Sequence, residues 1–249
     1  MKHRQYFFTE PKNISNETLE IKGDELKHLS RVVRKKARDI VEVVDGTGNL
    51  YTVVLTKIMK QVAFGNIQKR TRYVGEPNFH LTLAQAVPKG NRFDLVVEKG
   101  TELGISTFIP LLCKHSIVED SSSRLSRWKK IAIAAMKQSA RSVLPEITPA
   151  QTFHEVVRKK GLLKLGLIAN GGEEAKSLSN LISELKQKSF QLKSAIIIVG
   201  PEGGFSSDEL NRAEENGFYR FSLGPRRLRS ETAGIAASAI LMELVGEMY

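Results

Sequence analysis

Ala195-Ile196-Ile197-Ile198-Val199-Gly200-Pro201-Glu202-Gly203-Gly204-Phe205-Ser206 joins a run that is apolar at every position to a glycine-bearing loop, and the loop leads to three good helix-capping residues, Ser206, Ser207 and Asp208. A strand with one wet face alternates polar and apolar residues. A strand that is apolar throughout is covered on both faces, as strands of a parallel sheet are. Working outward, similar apolar runs occupy 79–87, 107–112, 163–169 and 219–223. Helical patterns follow them near 93–103, 126–140, 177–188, 207–216 and 232–245. Strands that alternate with helices of this length predict an α/β fold with a mostly parallel sheet.

Upstream of Arg72-Tyr73-Val74-Gly75-Glu76-Pro77 the texture differs. Gln5-Tyr6-Phe7-Phe8, Ile40-Val41-Glu42-Val43-Val44, Tyr51-Thr52-Val53-Val54-Leu55 and Val62-Ala63-Phe64-Gly65-Asn66-Ile67 are short β-branched or aromatic runs, so they read as strands. Asp45-Gly46-Thr47-Gly48-Asn49 supplies residues that tolerate positive φ and predicts a hairpin. A small β-barrel is the economical arrangement. One helix interrupts it, from an N-cap near Asp24 to Arg34, with Leu26, Leu29 and Val33 on one face and Lys27, Arg31, Arg34 and Lys35 turned to solvent. Two domains are therefore expected, 1–72 and 73–249.

The 249 residues carry 38 Lys and Arg against 27 Asp and Glu, a formal charge of +11. Residues 1–72 hold 15 basic and 8 acidic side chains, net +7, and the remainder holds 23 and 19, net +4. Polyanions are natural partners for such a surface, RNA, DNA and acidic membranes alike, although basic charge also serves solvation alone. The single cysteine, Cys113, excludes an internal disulfide and a cysteine-based zinc site. Five scattered histidines have no metal-ligand spacing, so metal-free chemistry is expected. No apolar run reaches about 18 residues, and Met1-Lys2-His3-Arg4-Gln5 lacks a signal-like stretch. A cytoplasmic protein with no membrane partner is the expectation.

Ligands of open α/β sheets bind beyond the carboxyl ends of the strands. Three loops there are glycine-bearing: Asn170-Gly171-Gly172, the 200–206 loop, and Gly224-Pro225-Arg226-Arg227-Leu228-Arg229-Ser230-Glu231-Thr232. Glycines let the backbone approach a flat ligand such as a nucleoside, though in any single loop they also serve tight turns. No Gly-x-Gly-x-x-Gly follows the first strand of a βαβ unit, and no Gly-Lys-Ser/Thr ends a loop. Neither a Rossmann dinucleotide site nor a phosphate loop is supported, which argues against a nucleotide hydrolase.

Six ordered segments carry a family likeness. They are Arg4-Gln5-Tyr6-Phe7; His28-Leu29-Ser30-Arg31-Val32-Val33-Arg34 with Asp45-Gly46; Val97-Glu98-Lys99-Gly100-Thr101-Glu102-Leu103-Gly104; Trp128-Lys129-Lys130-Ile131-Ala132 running to Gln138-Ser139-Ala140-Arg141; Gly200-Pro201-Glu202-Gly203-Gly204; and Leu223-Gly224-Pro225-Arg226-Arg227-Leu228-Arg229-Ser230-Glu231-Thr232-Ala233. Together they resemble the RsmE family over nearly the whole chain. The resemblance implies a PUA-like β-barrel that binds RNA, followed by a SPOUT methyltransferase domain with a trefoil knot. It also implies S-adenosylmethionine as cofactor, a homodimer, and methylation of N3 of a uridine in 16S ribosomal RNA, with that RNA or the 30S subunit as partner. Ser230 stands where the family usually has Thr, and Ala140 where it often has Gly. Two rivals remain: a SPOUT methyltransferase for another RNA or atom, and a non-catalytic RNA-binding assembly protein.

Cofactor contacts are expected from Ala169, Asn170, Gly171, Val199, Gly200, Pro201, Gly203, Gly204, Leu223, Gly224, Leu228 and Ile235. N3 of uracil becomes nucleophilic only once its proton leaves, so a fixed cation near the spreading negative charge is needed. Arg229 is the candidate. Glu231 takes the proton or orients an arginine; its other reading is a first-turn carboxylate favoured by the helix dipole. Arg141 holds a phosphate or assists at the uracil, or merely compensates charge at a helix end. Arg4, His28, Arg31, Arg34, Lys89 and Arg92 are the expected RNA contacts.

Overall fold

The computed structural model describes residues 5–116, 122–159, 165–171, 175–187 and 192–248. In chain order its first elements are β1 (Tyr6–Phe8), β2 (Thr18–Lys22), α1 (Gly23–Lys27), β3 (Ile40–Val44), β4 (Asn49–Ile58) and β5 (Val62–Arg72). Then follow β6 (His80–Ala86), α2 (Arg92–Glu102), β7 (Thr107–Leu112), α3 (Leu125–Gln138), β8 (Glu146–Ile147), β9 (Gln151–Thr152) and α4 (Phe153–Arg158). The last are β10 (Leu165–Ala169), β11 (Lys176–Ser177), α5 (Leu178–Gln187), β12 (Ser194–Val199), α6 (Ser207–Glu215), β13 (Phe218–Ser222) and α7 (Ser230–Leu244). The chain divides into two units, Met1–Glu76 with Ala132–Leu144, and Pro77–Ile131 with Pro145–Tyr249.

The first unit is a five-stranded sheet in the order β1-β3-β4-β5-β2, antiparallel except for β1 beside β3. Its two outer strands feed one core: Phe7 from β1 and Leu19 and Ile21 from β2 pack with Val41, Val43, Tyr51, Val53 and Leu55. A sheet whose opposite edges share a core is curled upon itself. The expected β3–β4 hairpin is present, with Val44 level with Leu50. Its turn is tied by Asp45, whose carboxylate accepts from the Thr47 and Asn49 amides, the Asn49 side chain and the Tyr51 hydroxyl.

The expected Asp24–Arg34 helix is shorter and changes type. α1 ends at Lys27, and His28–Val32 continues as a π-helical turn in which the Val33 amide reaches the His28 carbonyl at 3.0 Å. The Ser30 hydroxyl donates to the Leu26 carbonyl at 2.7 Å and competes with the backbone there. Leu26 and Leu29 are buried and Val33 packs against them, while Val32 is left 67% exposed.

The segment 132–144 belongs to this unit although it lies far along the chain. Met136 is fully buried among Tyr6, Val44 and Leu50, with Phe8, Val74, Ala140 and Leu144 around them. Lys137 pairs with Glu25. Backbone bonds run from the Gly48 amide to the Ser142 carbonyl and from the Leu144 amide to the Gly46 carbonyl. Sequence reading at 72/73 had no means of assigning this stretch to the first unit, because nothing local marks it.

The second unit is a parallel sheet whose main path runs β13-β10-β12-β6-β7, with the two-residue strands β11, β8 and β9 at its margins. Every residue of 195–199 is buried, as an all-apolar central strand requires. One face of the sheet packs Ile109, Leu111, Ile168, Ile196 and Ile198 against Phe153, Val156 and Ala213 of α4 and α6. β10 is described only from Leu165; residues 163 and 164 of the expected strand lie outside the described residues.

Candidate active site

β13, β10 and β12 are neighbours in the sheet, so the loops that leave their carboxyl ends converge. They enclose a cavity of about 670 Å³, within the range of small-molecule sites. Ala169, Asn170 and Gly171 line it after β10, and Val199, Gly200, Pro201, Glu202, Gly203, Gly204 and Phe205 after β12. Phe221 to Arg229 line it from β13 onward, and Ser230 and Ala233 from α7. All the expected cofactor residues border the cavity except Ile235. A helix turns about 100° per residue, so Ile235 faces well away from Ala233, which does line it.

Local chemistry explains the loop paths. Gly204 sits at φ 73° and Gly224 at φ 103°, left-handed conformations that a side chain would strain. A Cβ at Gly204 or Gly171 would project into open space, with nothing within 4 Å. The 200–206 loop ends in a capping box: the Ser206 hydroxyl accepts from the Glu209 amide, and the Glu209 carboxylate accepts from the Ser206 amide. Glu209 also accepts from the Lys114 amide at 2.9 Å. Two further bonds join the loops, from the Arg227 Nη2 to the Glu202 carbonyl at 3.2 Å and from the Asn170 amide to the Phe221 carbonyl at 3.0 Å. Phe205, Phe221, Leu223 and Leu228 give apolar walls, and the lining residues Arg226, Arg227 and Arg229 are exposed.

Arg229 is the N-cap residue of α7 and bonds none of its amides through the side chain. Glu231 lies two residues on, in the first turn of that helix and 7% exposed. Its Oε1 is 3.8 Å from the Arg92 Nε, and its Oε2 is buried with no hydrogen-bond partner among the described residues. Arg92 also reaches the Glu202 carboxylate at 3.5 Å, so this expected RNA contact stands between two carboxylates.

Arg141 does not line the cavity. It is buried in the first unit, where its Nε and Nη2 donate to Glu76 at 3.1 and 2.8 Å, and the other Glu76 oxygen accepts from the Ser142 and Val143 amides. That engagement occupies donors a phosphate or uracil would need. Arg31 and Arg34 are exposed in the first unit, and His28 Nε2 meets Gln5 Nε2 at 2.5 Å. Lys89 is exposed in the second unit. Arg4 lies outside the described residues.

Burial above all, and the nearby Glu209 carboxylate, push the Cys113 thiol well above its ordinary range, which disfavours the thiolate. Among the described residues no group of His, Cys, Asp and Glu could hold a metal ion, and no helix is long and apolar enough to cross a membrane. Sequence reasoning gave no site role to Gln85 or to several lining residues, Glu202, Phe205, Phe221 and Ser230 among them. An aromatic directly after Gly203-Gly204 was the available signal for Phe205, and Glu202 lies inside the same loop; Gln85 depends on a contact remote in sequence.

The family of RNA methyltransferase domains matches residues 75–242, and the RNA methyltransferase PUA domain matches 21–67. A ribosomal RNA small subunit methyltransferase E from Rickettsia conorii is 32% identical over 227 residues, covering 90% of this chain and 89% of that protein. Its namesake from Synechocystis is 31% identical over 236 residues, covering 94% and 76%. The crystal structure of a ribosomal RNA small subunit methyltransferase E from Neisseria gonorrhoeae bound to S-adenosyl methionine superimposes with a TM-score of 0.84 at 30% identity, over 99% of this chain and all of that one. With the family model spanning most of the chain and these relatives matching along nearly its full length, the chain belongs to the ribosomal RNA small subunit methyltransferase E family of RNA methyltransferases.

Proposed function

We propose that this protein transfers a methyl group from S-adenosylmethionine to N3 of a uridine in 16S ribosomal RNA of the small subunit. The observation that carries the reading is the cavity where three glycine-bearing loops meet beyond adjacent parallel strands. Its fit to the cofactor rests on open space at the Gly171 and Gly204 Cα positions, apolar walls for an adenine and backbone groups to read its edge. When bound, the sulfonium supplies an electrophilic methyl group without help from a metal. The protein's own work is then positioning and charge stabilisation.

In this mechanism Arg229 faces the negative charge that spreads over the uracil as N3 loses its proton. Glu231 takes that proton or orients an arginine, with the Arg92 Nε 3.8 Å from its Oε1. The first unit, with exposed Arg31 and Arg34, supplies phosphate contacts that give affinity and register. The second unit has the trefoil-knotted SPOUT topology and acts as a homodimer. Leu95 of α2 and Ile240 of α7, two packed helices, are 43% and 37% exposed and suit a partner subunit. The enzyme works in the cytoplasm.

Labelled S-adenosylmethionine incubated with naked 16S RNA and with assembled 30S particles, followed by mapping of the methylated nucleoside, tests the reading. We expect 3-methyluridine at one site, and loss of cofactor binding in Gly204→Val and Gly224→Val. Methyl on another base or atom would replace the substrate assignment, and absence of any cofactor binding would leave a non-catalytic RNA-binding role.

A further inference from the structure

The carboxyl end of β6 carries a fully buried amide, Gln85. In the parallel pairing of β6 with β12, Gln85 is level with Val199, the last residue before the 200–206 loop. Its Nε2 donates to the Ser230 Oγ at 3.3 Å. Ser230 in turn donates its one hydroxyl proton to the Gly200 carbonyl at 2.9 Å. The last residues of β6, the first residue of α7 and the first residue of the loop are thus tied in one series.

The Gly200 carbonyl is a telling target. Pro201 follows it, so the peptide between them has no N–H, and its carbonyl is the only polar group by which a partner can fix that plane. The Phe205 ring also packs against Gly200, so closely that a Cβ there would lie 3.0 Å from ring carbons. The start of the loop is held by contact with an aromatic ring and by a single hydrogen bond. Gln85 has no other described bond that would explain its place in the core, for its Oε1 is buried without a partner. Burying an amide is unfavourable unless its bonds are made, so the Nε2 bond is what the residue provides. α7 makes room for it: a Cβ on Gly234 would fall 2.0 Å from the Gln85 Oε1.

We infer that Gln85 and Ser230 form a relay that fixes the Gly200 carbonyl and thereby shapes the cofactor cavity, with Gln85 as a positioning residue that touches no substrate. The inference rests on the cofactor reading above. Its chemistry also gives the Ser230 position a requirement, a hydroxyl of either Ser or Thr.

Calorimetric titration with S-adenosylmethionine, thermal unfolding and methyl-transfer kinetics on Gln85→Leu, Ser230→Ala, Ser230→Thr and Gly234→Ala test the relay. Ser230→Ala and Gln85→Leu should bind the cofactor about three- to tenfold more weakly, the range that one net hydrogen bond supports. The loss should fall on KM for the cofactor more than on kcat. Ser230→Thr should restore binding. Gly234→Ala should reproduce Gln85→Leu, and the double variant should be no worse than either alone. Cofactor affinity unchanged in Ser230→Ala, or a loss that tracks only a lowered Tm and is not rescued by Thr, overturns the relay. Ser230→Ala and Ser230→Thr leave the core amide in place and decide the matter if Gln85→Leu does not fold. Failure of the unsubstituted protein to bind the cofactor is a different result, and it removes the cofactor reading itself.

Discussion

Ala140 holds φ at 58°, a left-handed conformation that costs a Cβ-bearing residue about 1 kcal/mol relative to glycine. It ends α3, and the Arg141 amide reaches back to the Met136 carbonyl at 3.0 Å, as in a helix stopped by a C-terminal glycine. Ala140→Gly should therefore stabilise the protein by about 1 kcal/mol, read as a higher urea midpoint with an unchanged slope. Asp45 provides a second test at this scale. Burial works to raise its pKa, but bonds from the Asn49 side chain and the Thr47 and Asn49 amides outweigh it, and the net shift is downward. A carboxylate whose folded pKa lies below its unfolded value near 3.9 adds stability above that value and loses it as pH falls through the folded pKa. Asp45→Asn should be less stable at neutral pH and should show a shallower decline between roughly pH 5 and 2. A variant whose acid limb parallels that of the parent would show that the bonds to Asp45 are not the source.

At the scale of elements, the π-helical turn at His28–Val32 displays Arg31 and leaves Val32 exposed in place of a continued amphipathic helix. Arg31→Ala should weaken RNA binding and lower the slope of log K against log salt by about one, leaving cofactor affinity intact. An unchanged slope would remove this turn from the RNA face. Elements with strong local signals were legible in the sequence: the all-apolar β12, the Asp45–Asn49 hairpin, and the helices that became α2, α6 and α7. β2 carried a period-two pattern in Thr18-Leu19-Glu20-Ile21-Lys22, but its charged residues hid it until Leu19 and Ile21 were seen in the core. The site divides the same way. Its glycine loops announced themselves because left-handed backbone is a local demand, whereas the bond between Gln85 and Ser230 spans 145 positions and leaves no local mark.

At the scale of the whole molecule, the first unit is not one stretch of chain. Residues 132–144 bring Met136 and Ala140 to its core and Arg141 to Glu76, whose carboxylate would otherwise be buried without its cation. Removing one partner of a buried pair costs about 3–5 kcal/mol, comparable to the stability of a small domain. A 1–76 fragment should accordingly show no cooperative thermal transition, and adding a 132–144 peptide, or joining it through a linker, should restore one. Cooperative unfolding of 1–76 by itself, followed by circular dichroism, would make the returning segment dispensable.

That non-contiguity also sets a schedule for biosynthesis. The five N-terminal strands leave the ribosome first, yet the side chains that seal them are encoded after residues 77–131. During translation the nascent sheet must wait with apolar surface uncovered, so chaperone dependence should begin early and end only once residue 144 has cleared the exit tunnel.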